Sequence, residues 1–417
     1  MQDEVQRRRY LAGALLAICV AAHFGYFLES PTRTTADSQR YLDLAASLRS
    51  RHAFVAHDRI AYAVPPGAFA EGPLVPETIR TPLYPLFLAI CAGITTAVFL
   101  QHVIVIAFAL ILFDVVAREF SVAAGFVAAL IFGLMPQMIV AANVVMTEAL
   151  MGVLVTSSIL LLLRRRAIAA GIVMGLAILC HPIALYLPLV LLVTLFRRAK
   201  RMAITFFLCA ALLPSAWAAR NHHFTGRAVV SSIDGETLLL YRAAGTLAVE
   251  HHFAVFALQE QFGFYGPALH LRVPLAKRAL AHSTAANHAQ RSRDFMRLAF
   301  SILLRHPVEY AELAVSALIA LFVDNISSLA AEGGENFMDA RLHYIPLSLL
   351  LDALAIGGIV VLWRRKRTQA ILIGTALGYF SVVAAGPDVE QRFLVPLLGV
   401  YAMAAGAGMM MFTGTSD

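Results

Sequence analysis

The sequence predicts an all-α protein that crosses a membrane many times. Of its 417 residues, 59% are hydrophobic and only 14% are charged, and its mean hydropathy is +0.73. So few polar residues could not cover the surface of a soluble globule of this size. The apolar residues fall in long runs, and a helix needs about 20 such residues to cross about 30 Å of hydrocarbon.

The net charge of +7 does not indicate a nucleic-acid partner. The basic residues lie in short clusters between the apolar runs, at 7–9, 164–166, 197–201 and 364–367. Such clusters are typical of the cytoplasmic side of a membrane protein. They predict a multi-pass protein of the inner (plasma) membrane with a cytoplasmic N-terminus, and no binding of nucleic acid.

From these clusters we predict ten membrane-spanning helices, with both termini in the cytoplasm. The predicted spans are 11–28, 97–117, 123–142, 148–163, 167–180, 182–196, 202–219, 346–363, 371–385 and 393–411. The first run lacks a small-residue cleavage site, so we expect a retained helix and not a removed signal peptide. If Phe300–Val323 crossed the membrane, the basic cluster at 364–367 would lie on the outer side, against its expected cytoplasmic position. We therefore predict that Phe300–Val323 is a long helix lying in the outer interface.

The predicted topology divides the chain into three parts. Residues 1–219 form a transmembrane module that includes a first outer loop, 30–96. Residues 220–345 form a second outer loop with its interfacial helix, and 346–417 form the C-terminal transmembrane helices. We expect further interfacial helices in the first outer loop, at Ser38–Leu48 and at the short, proline-interrupted Pro82–Ile94.

Neither cysteines nor histidines predict a metal site. The four cysteines lie inside apolar stretches and lack metal-ligand spacing. The second outer loop holds seven histidines, several of them in adjacent pairs, which cannot both face one metal ion from a helix. This pattern favours a solvated loop. The seven are His222, His223, His251, His252, His270, His282 and His288.

Polar residues that are not topology signals concentrate at the predicted outer ends of helices. They include Asp37, Arg40, Arg80, Glu148, His181, Arg220 and Arg392. This placement predicts an active site that faces the periplasm or exterior. A transporter would instead carry ionisable groups near the middle of the membrane, on broken helices.

The residue pattern leaves two interpretations open for each acidic candidate. Asp37 precedes Ser38 and a series of apolar residues, so it could cap an amphipathic helix or act as a catalytic base. Glu148 opens a predicted helix, where the helix dipole alone would stabilise its carboxylate. It is equally a candidate for a role in the reaction.

The basic candidates have structural explanations as well. Taken alone, each of Arg80, Arg220 and Arg392 could simply extend its charged end to the membrane interface, which is called snorkelling. Three arginines beside acidic residues instead indicate a phosphate clamp, because guanidinium groups match phosphate oxygens. For His181, which precedes a proline, the pattern favours a turn residue over a base. Asp352, inside a predicted span, is interpreted as an ion-pair partner of Arg392.

Five motifs occur in a recognisable order along almost the whole chain. They are DSQRYLDLA (Asp37–Ala45), RTPLYPLF (Arg80–Phe87), MTEAL (Met146–Leu150), WAARN (Trp217–Asn221) and EQRFLVP (Glu390–Pro396). This order resembles the GT-C membrane glycosyltransferases. It is most similar to the branch with the bacterial protein-mannosyltransferase-like enzymes and the aminoarabinose transferase of lipid A.

The resemblance implies a GT-C fold and an inverting transferase. Such enzymes move a sugar from a polyprenyl-phosphate donor to a glycan, lipid or protein acceptor on the outer face of the membrane. The acidic residue that acts as base in the family matches Asp37. With it we expect Glu148 as a second acid, and Arg40, Tyr41, Tyr84 and His181 among the substrate-binding residues.

Two rival functions stay open at this stage. One is a membrane transporter or lipid-linked-sugar flippase, and the other is a non-catalytic assembly subunit in which Asp37 is only a cap. A divalent metal is compatible with the predicted transfer but not required. Arginines can stabilise the leaving phosphate without one.

Overall fold

The computed structural model describes residues 2–57, 74–91, 93–251, 255, 259, 288–324, 326–327, 329, 336–386 and 391–412. Over these ranges the chain is mainly helical and has one two-stranded antiparallel sheet. Parts of both predicted outer loops, including His252, His270 and His282, lie outside the described residues, as does Glu390.

The first half of the chain contains the sheet and the longest helix. Its elements are α1 (Gln2–Glu29), α2 (Ala36–Arg51), β1 (Val55–His57), β2 (Leu74–Pro76), α3 (Leu83–Ile90), α4 (Ile94–Glu119), α5 (Val122–Leu134), α6 (Pro136–Ala142), α7 (Glu148–Leu163), α8 (Ala167–Cys180), a 3₁₀ turn (Pro182–Ala184) and α9 (Leu187–Thr225). Val55 of β1 pairs with Pro76 of β2.

The second half begins with short helical segments and ends in three long helices. Its elements are α10 (Asp234–Glu236), a π-helix (Thr237–Ala243), α11 (Ala244–His251), α12 (His288–Leu303), α13 (Pro307–Phe322), α14 (Phe337–Arg365), α15 (Arg367–Ala384), a 3₁₀ turn (Gln391–Leu394), α16 (Val395–Gly408) and a final 3₁₀ turn (Met409–Met411).

Helix breaks fall where local chemistry requires them. Ala199, in the predicted basic connection, has φ −144° and ψ 50° and divides α9 into two helical stretches. α5 and α6 meet at Pro136 with a bend of 50°, because proline lacks the N–H that would continue the helix. The prediction of one long helix over 300–323 is wrong for the same reason. α12 ends at Leu303, and α13 begins at Pro307.

The predicted membrane class is confirmed, but the count of ten spans is not. Five described helices are long and apolar enough to cross a membrane, or six if the bent pair α5 and α6 counts as one span. α7 and α8 are apolar but shorter, at 16 and 14 residues. The predicted interfacial helices of the first outer loop correspond in sequence to α2 and α3.

Basic residues from three predicted cytoplasmic clusters meet at one end of the bundle. Arg164 lies 3.3 Å from a carboxylate oxygen of Glu119, and Lys366 donates to the backbone carbonyl of Glu119. Arg8 donates to the carbonyl of Ala117 at 3.4 Å. α7 begins at Glu148 and ends at Leu163, next to Arg164. Its length of about 24 Å separates Glu148 from this basic end of the bundle.

The core depends on close contact between α16 and its neighbours. All 14 residues of α16 are buried, and the helix packs against α5, α7 and α14. Gly358 of α14 permits the closest approach, since a Cβ there would lie 1.8 Å from the carbonyl oxygen of Ala404. A side chain at this position would therefore push the two helices apart.

We expect Gly358→Ala to lower the melting temperature of the purified protein, because overpacking a helix contact costs about 1–3 kcal/mol. Gly378→Ala is the matched control, since no atom lies within 4 Å of a Cβ at that position. Alanine there should leave the melting temperature unchanged or raise it slightly. Equal melting temperatures for Gly358→Ala and the wild type, in thermal unfolding in detergent, would contradict this packing.

Candidate active site

A cavity of about 1220 Å³ lies among the helices and loops that begin or end near Glu148. It is lined by seven of the nine predicted site residues, namely Asp37, Arg40, Tyr41, Arg80, Glu148, His181 and Arg392. Arg220 and Tyr84 do not line it. Its wall also includes residues from 233–242, 296–310 and 379–386, which the sequence patterns did not single out.

Thr35, not Asp37, caps the helix that carries Asp37. The Thr35 hydroxyl accepts a hydrogen bond from the amide of Ser38 at 3.3 Å, and the Ser38 hydroxyl accepts one from the amide of Thr35 at 2.8 Å. This reciprocal pair is a capping box. The interpretation of Asp37 as the N-cap is therefore wrong, and its carboxylate makes other contacts.

Pairing of two distant segments brings Asp37 and Glu148 to the same place. Arg33 and Val144 form a parallel bridge, and the amide of Val145 donates to the carbonyl of Arg33 at 3.2 Å. The Ser38 hydroxyl donates to the carbonyl of Val145 at 2.8 Å. The chain entering α2 thus runs beside the chain entering α7, and the first turns of both helices face one cavity.

Two arginines contact the carboxylates. Arg80 donates a hydrogen bond to Asp37 Oδ1. Arg392 Nη1 lies 3.8 Å from Asp37 Oδ2 and 3.8 Å from Glu148 Oε1, so it bridges the two acids. The predicted pairing of Arg392 with Asp352 is wrong, because Asp352 accepts a hydrogen bond from Tyr401 at 2.7 Å.

Glu77 fixes the loop that presents Arg80. It is 1% exposed and accepts hydrogen bonds from Arg40 Nε at 2.5 Å and from the amides of Ile79 and Arg80 at 2.5 and 3.0 Å. Burial by itself would raise the pKa of Glu77, but Arg40 and the two amides lower it below its ordinary value. The sequence patterns did not single out Glu77, which ends the Pro/Gly-rich stretch VPPGAFAEGPLVPE of the first outer loop.

Arg40 and Arg220 support this loop through contacts with protein groups. Arg40 forms the buried ion pair with Glu77 and also donates to the carbonyl of His57. Arg220 donates to the carbonyls of Glu77 at 2.5 Å and Phe54 at 3.0 Å, and its guanidinium lies 4.7 Å from the Trp217 ring. This is why Arg220 lies outside the cavity.

The two predicted tyrosines have different positions. The guanidinium of Arg80 lies 5.3 Å from the centre of the Tyr41 ring, at the cavity wall. Tyr84 packs edge-on against Tyr41 at 5.1 Å and donates a hydrogen bond to Gln101 at 2.8 Å. Tyr84 is thus a buried residue that supports Tyr41 from behind the wall of the cavity.

His181 is a neutral member of the cavity wall. Its Nδ1 accepts a hydrogen bond from the amide of Ile183 at 3.3 Å, which leaves the proton on Nε2. Burial, together with the nearby Arg80, lowers the pKa of His181 to about 4. At neutral pH its Nε2–H can therefore donate a hydrogen bond, but the imidazole adds no positive charge.

The residues of this site do not form a metal-ligand set. Within the part of the chain that the structure describes, no three His, Cys, Asp or Glu side chains converge. Between Asp37 and Glu148 lies the guanidinium of Arg392. We therefore derive no step through a divalent metal.

No protein-family model and no curated protein matches this sequence. The fold does match solved structures of the Archaeoglobus fulgidus oligosaccharyltransferase. The apo form matches with a TM-score of 0.53 and 12% identity over 95% of this chain. The complex with Zn and sulfate matches with 0.53 and 14% over 96%, and the form tethered to an acceptor peptide with 0.51 and 14% over 95%.

The chain is thus similar in fold to these oligosaccharyltransferase structures, in agreement with the fold that its motifs predicted. It spans about half the length of the oligosaccharyltransferase structures, covering 50%, 49% and 49% of them. At identities this low the likeness concerns the fold alone. The protein-mannosyltransferase-like or aminoarabinose-transferase-like branch stays a prediction.

The buried pair Arg40–Glu77 predicts a pH-dependent stability. Because the folded-state pKa of Glu77 lies below its ordinary value of 4.5, its ionised form stabilises the fold above that pH. The contribution is lost as the pH falls through the lower folded value. We expect Glu77→Gln to lower the free energy of unfolding at pH 7 by about 3–5 kcal/mol, since Arg40 is left buried and unpaired.

Thermal unfolding from about pH 3 to pH 7 measures this effect. Glu77→Gln should also show a smaller loss of stability on acidification than the wild type does. Asp114→Asn is the control, because Asp114 pairs with Arg118 on the exposed surface and its removal should change little. A Glu77→Gln protein with the wild-type melting temperature at pH 7 would refute the role of this pair.

Proposed function

We propose that the chain is an inverting glycosyltransferase that moves a sugar from a polyprenyl-phosphate donor to an acceptor on the outer side of the membrane. One observation carries the proposal: two carboxylates and two arginines converge on one large cavity in a bundle of apolar helices. The fold similarity to an oligosaccharyltransferase supports the same reaction class by analogy.

The cavity matches the three chemical parts of such a donor. One region carries Asp37, Arg80, Glu148 and Arg392, and it suits a sugar and a phosphate. Apolar side chains line another region, and they suit a polyprenyl chain. They include Met296, Phe300, Leu303, Leu304, Val382 and Phe393.

The reaction needs a base and a cation on opposite sides of the sugar. The acceptor hydroxyl oxygen attacks the anomeric carbon, and the bond from that carbon to the phosphate oxygen breaks. The phosphate leaves with the electron pair, and the hydroxyl proton passes to a carboxylate. Attack from the face opposite the phosphate inverts the anomeric configuration, as in inverting glycosidases.

Asp37 is the base in this proposal, and Arg392 receives the phosphate. Arg392 lies 3.8 Å from Asp37 and from Glu148, farther than a charge-assisted hydrogen bond. Its guanidinium can therefore leave Asp37 when the sugar enters between them and exchange both contacts for phosphate oxygens on the far side of the sugar. Arg80 orients Asp37 through its hydrogen bond. A leaving phosphate is a stable anion, so it needs positive charge and no strong general acid.

The remaining wall residues take binding roles. Glu148 orients the acceptor or binds sugar hydroxyls, and Tyr41 and His181 line the sugar pocket. In this proposal the cavity opens to the periplasm or exterior of an inner membrane. The basic end around Glu119 supports that orientation through the positive-inside rule.

Asp37→Asn should lower turnover by about 10²- to 10⁴-fold, the usual contribution of a positioned base. The measurement is the release of polyprenyl phosphate from a panel of radiolabelled polyprenyl-phosphate sugars. Asp339→Asn, an exposed carboxylate in the first turn of α14, is the control and should keep wild-type turnover. A folded Asp37→Asn protein that turns over like the wild type rules out Asp37 as the base.

The product should carry the anomeric configuration opposite to that of the donor. Proton NMR of the isolated product distinguishes the two anomers, so a retained configuration would exclude single displacement at this site. If no donor is cleaved and the reconstituted protein moves solute across vesicles, the transporter alternative is favoured instead.

A further inference from the structure

We propose that Asp234, together with Tyr186 and Tyr379, forms a second sugar-binding subsite in the cavity, and that the acceptor is therefore a carbohydrate. This inference rests on the function proposed above. It selects a glycan from the three acceptor classes left open there. The three side chains belong to the wall of the same cavity as Asp37 and Glu148.

The backbone around Asp234 is held against the loop that presents Arg80. The Ser231 hydroxyl donates to the carbonyl of Ile79 at 2.6 Å, and the amide of Ser232 donates to the carbonyl of Thr78 at 2.9 Å. Asp234 follows two residues later and opens α10. The position of Asp234 is thus fixed relative to the loop that carries Arg80.

Asp234 is a desolvated carboxylate whose charge is not compensated within the described part of the chain. It forms neither an ion pair nor a side-chain hydrogen bond there, and burial raises its pKa to about 6. By contrast, Glu236, two residues further on, forms an ion pair with Arg291 in which both side chains are about 5–6% exposed. Because an unpaired charge on a partly buried side chain is costly, a ligand that donates hydrogen bonds would stabilise Asp234.

Two tyrosines complete the subsite. Tyr186 and Tyr379 line the cavity together with Asp234. The Tyr379 hydroxyl donates to the carbonyl of Ile183 at 2.6 Å and accepts from the amide of Tyr186 at 3.3 Å, which fixes its ring. Tyr186 is 60% exposed, so its ring is open to a ligand.

This combination suits a pyranose. The C–H face of a sugar packs on an aromatic ring, and a carboxylate accepts hydrogen bonds from sugar hydroxyls. A pocket that is mainly apolar with a few converging polar groups fixes the orientation of such a ligand. An acceptor sugar held here would direct one hydroxyl toward the donor at Asp37.

An amine-bearing ligand fits this region less well. Arg242 lines the cavity and donates to the carbonyls of Val383 and Ala385 and to the Tyr310 hydroxyl, with no carboxylate partner among the described residues. Its positive charge would repel an ammonium group nearby. Neutral hydroxyl donors satisfy Asp234 without that repulsion.

Binding can be measured without turnover, by saturation-transfer NMR with a panel of p-nitrophenyl glycosides on the full-length protein in detergent. We expect the wild type to bind one or more of them, and Asp234→Leu to weaken that binding about ten- to hundredfold, the usual effect of losing hydrogen bonds to a charged group. Asp234→Asn, which has the same shape, should lose less. Asp339→Asn is the matched control and should bind like the wild type.

A second arm measures transfer from a radiolabelled polyprenyl-phosphate sugar. Asp234→Leu should raise the KM for the glycoside acceptor, and Asp339→Asn should keep the wild-type KM. Wild-type binding by Asp234→Leu, no glycoside binding by the wild type, or use of Ser/Thr peptides or alkylamines instead of glycosides would overturn the inference. Glycoside binding without any donor cleavage would instead overturn the proposed function.

Discussion

The rest of the site depends on the buried ion pair between Arg40 and Glu77. Their side chains are 3% and 0% exposed, so their attraction acts in a region from which water is almost excluded. Glu77 also accepts hydrogen bonds from two backbone amides, and its own carbonyl accepts one from Arg220. The pair thus fastens the first loop to α2 and, through Arg220, to α9.

A second ion pair lies one helical turn away and faces the cavity. Asp37 and Arg40 are three residues apart on α2, and Glu77 and Arg80 are three residues apart on the loop. Arg40 pairs with Glu77, and Asp37 pairs with Arg80. The same two segments therefore carry a buried pair that sets their geometry and a cavity-facing pair whose Asp37 is proposed to accept a proton.

Sequence patterns predicted the elements that local chemistry determines. Basic clusters marked one end of the bundle, and outer polar residues such as Asp37 and Glu148 proved to share one cavity. Long-range pairing was not predictable in this way. Nothing near Glu77 in the sequence shows that its partner is Arg40. The positions of Arg220 and Tyr84 outside the cavity likewise depend on tertiary contacts. Pro307 is a local helix breaker, but the prediction of one helix over 300–323 rested on membrane topology and did not use it.

A structure with a non-cleavable phosphonate analogue of a polyprenyl-phosphate sugar would test the central claim most directly. The account predicts that the phosphonate contacts Arg392 and that the polyprenyl chain lies along Phe300 and Leu304. Asp37 should lie on the opposite face of the sugar, close enough to remove an acceptor proton at about 3 Å or through one water. A sugar bound with its anomeric carbon more than about 15 Å from Asp37 would contradict the account.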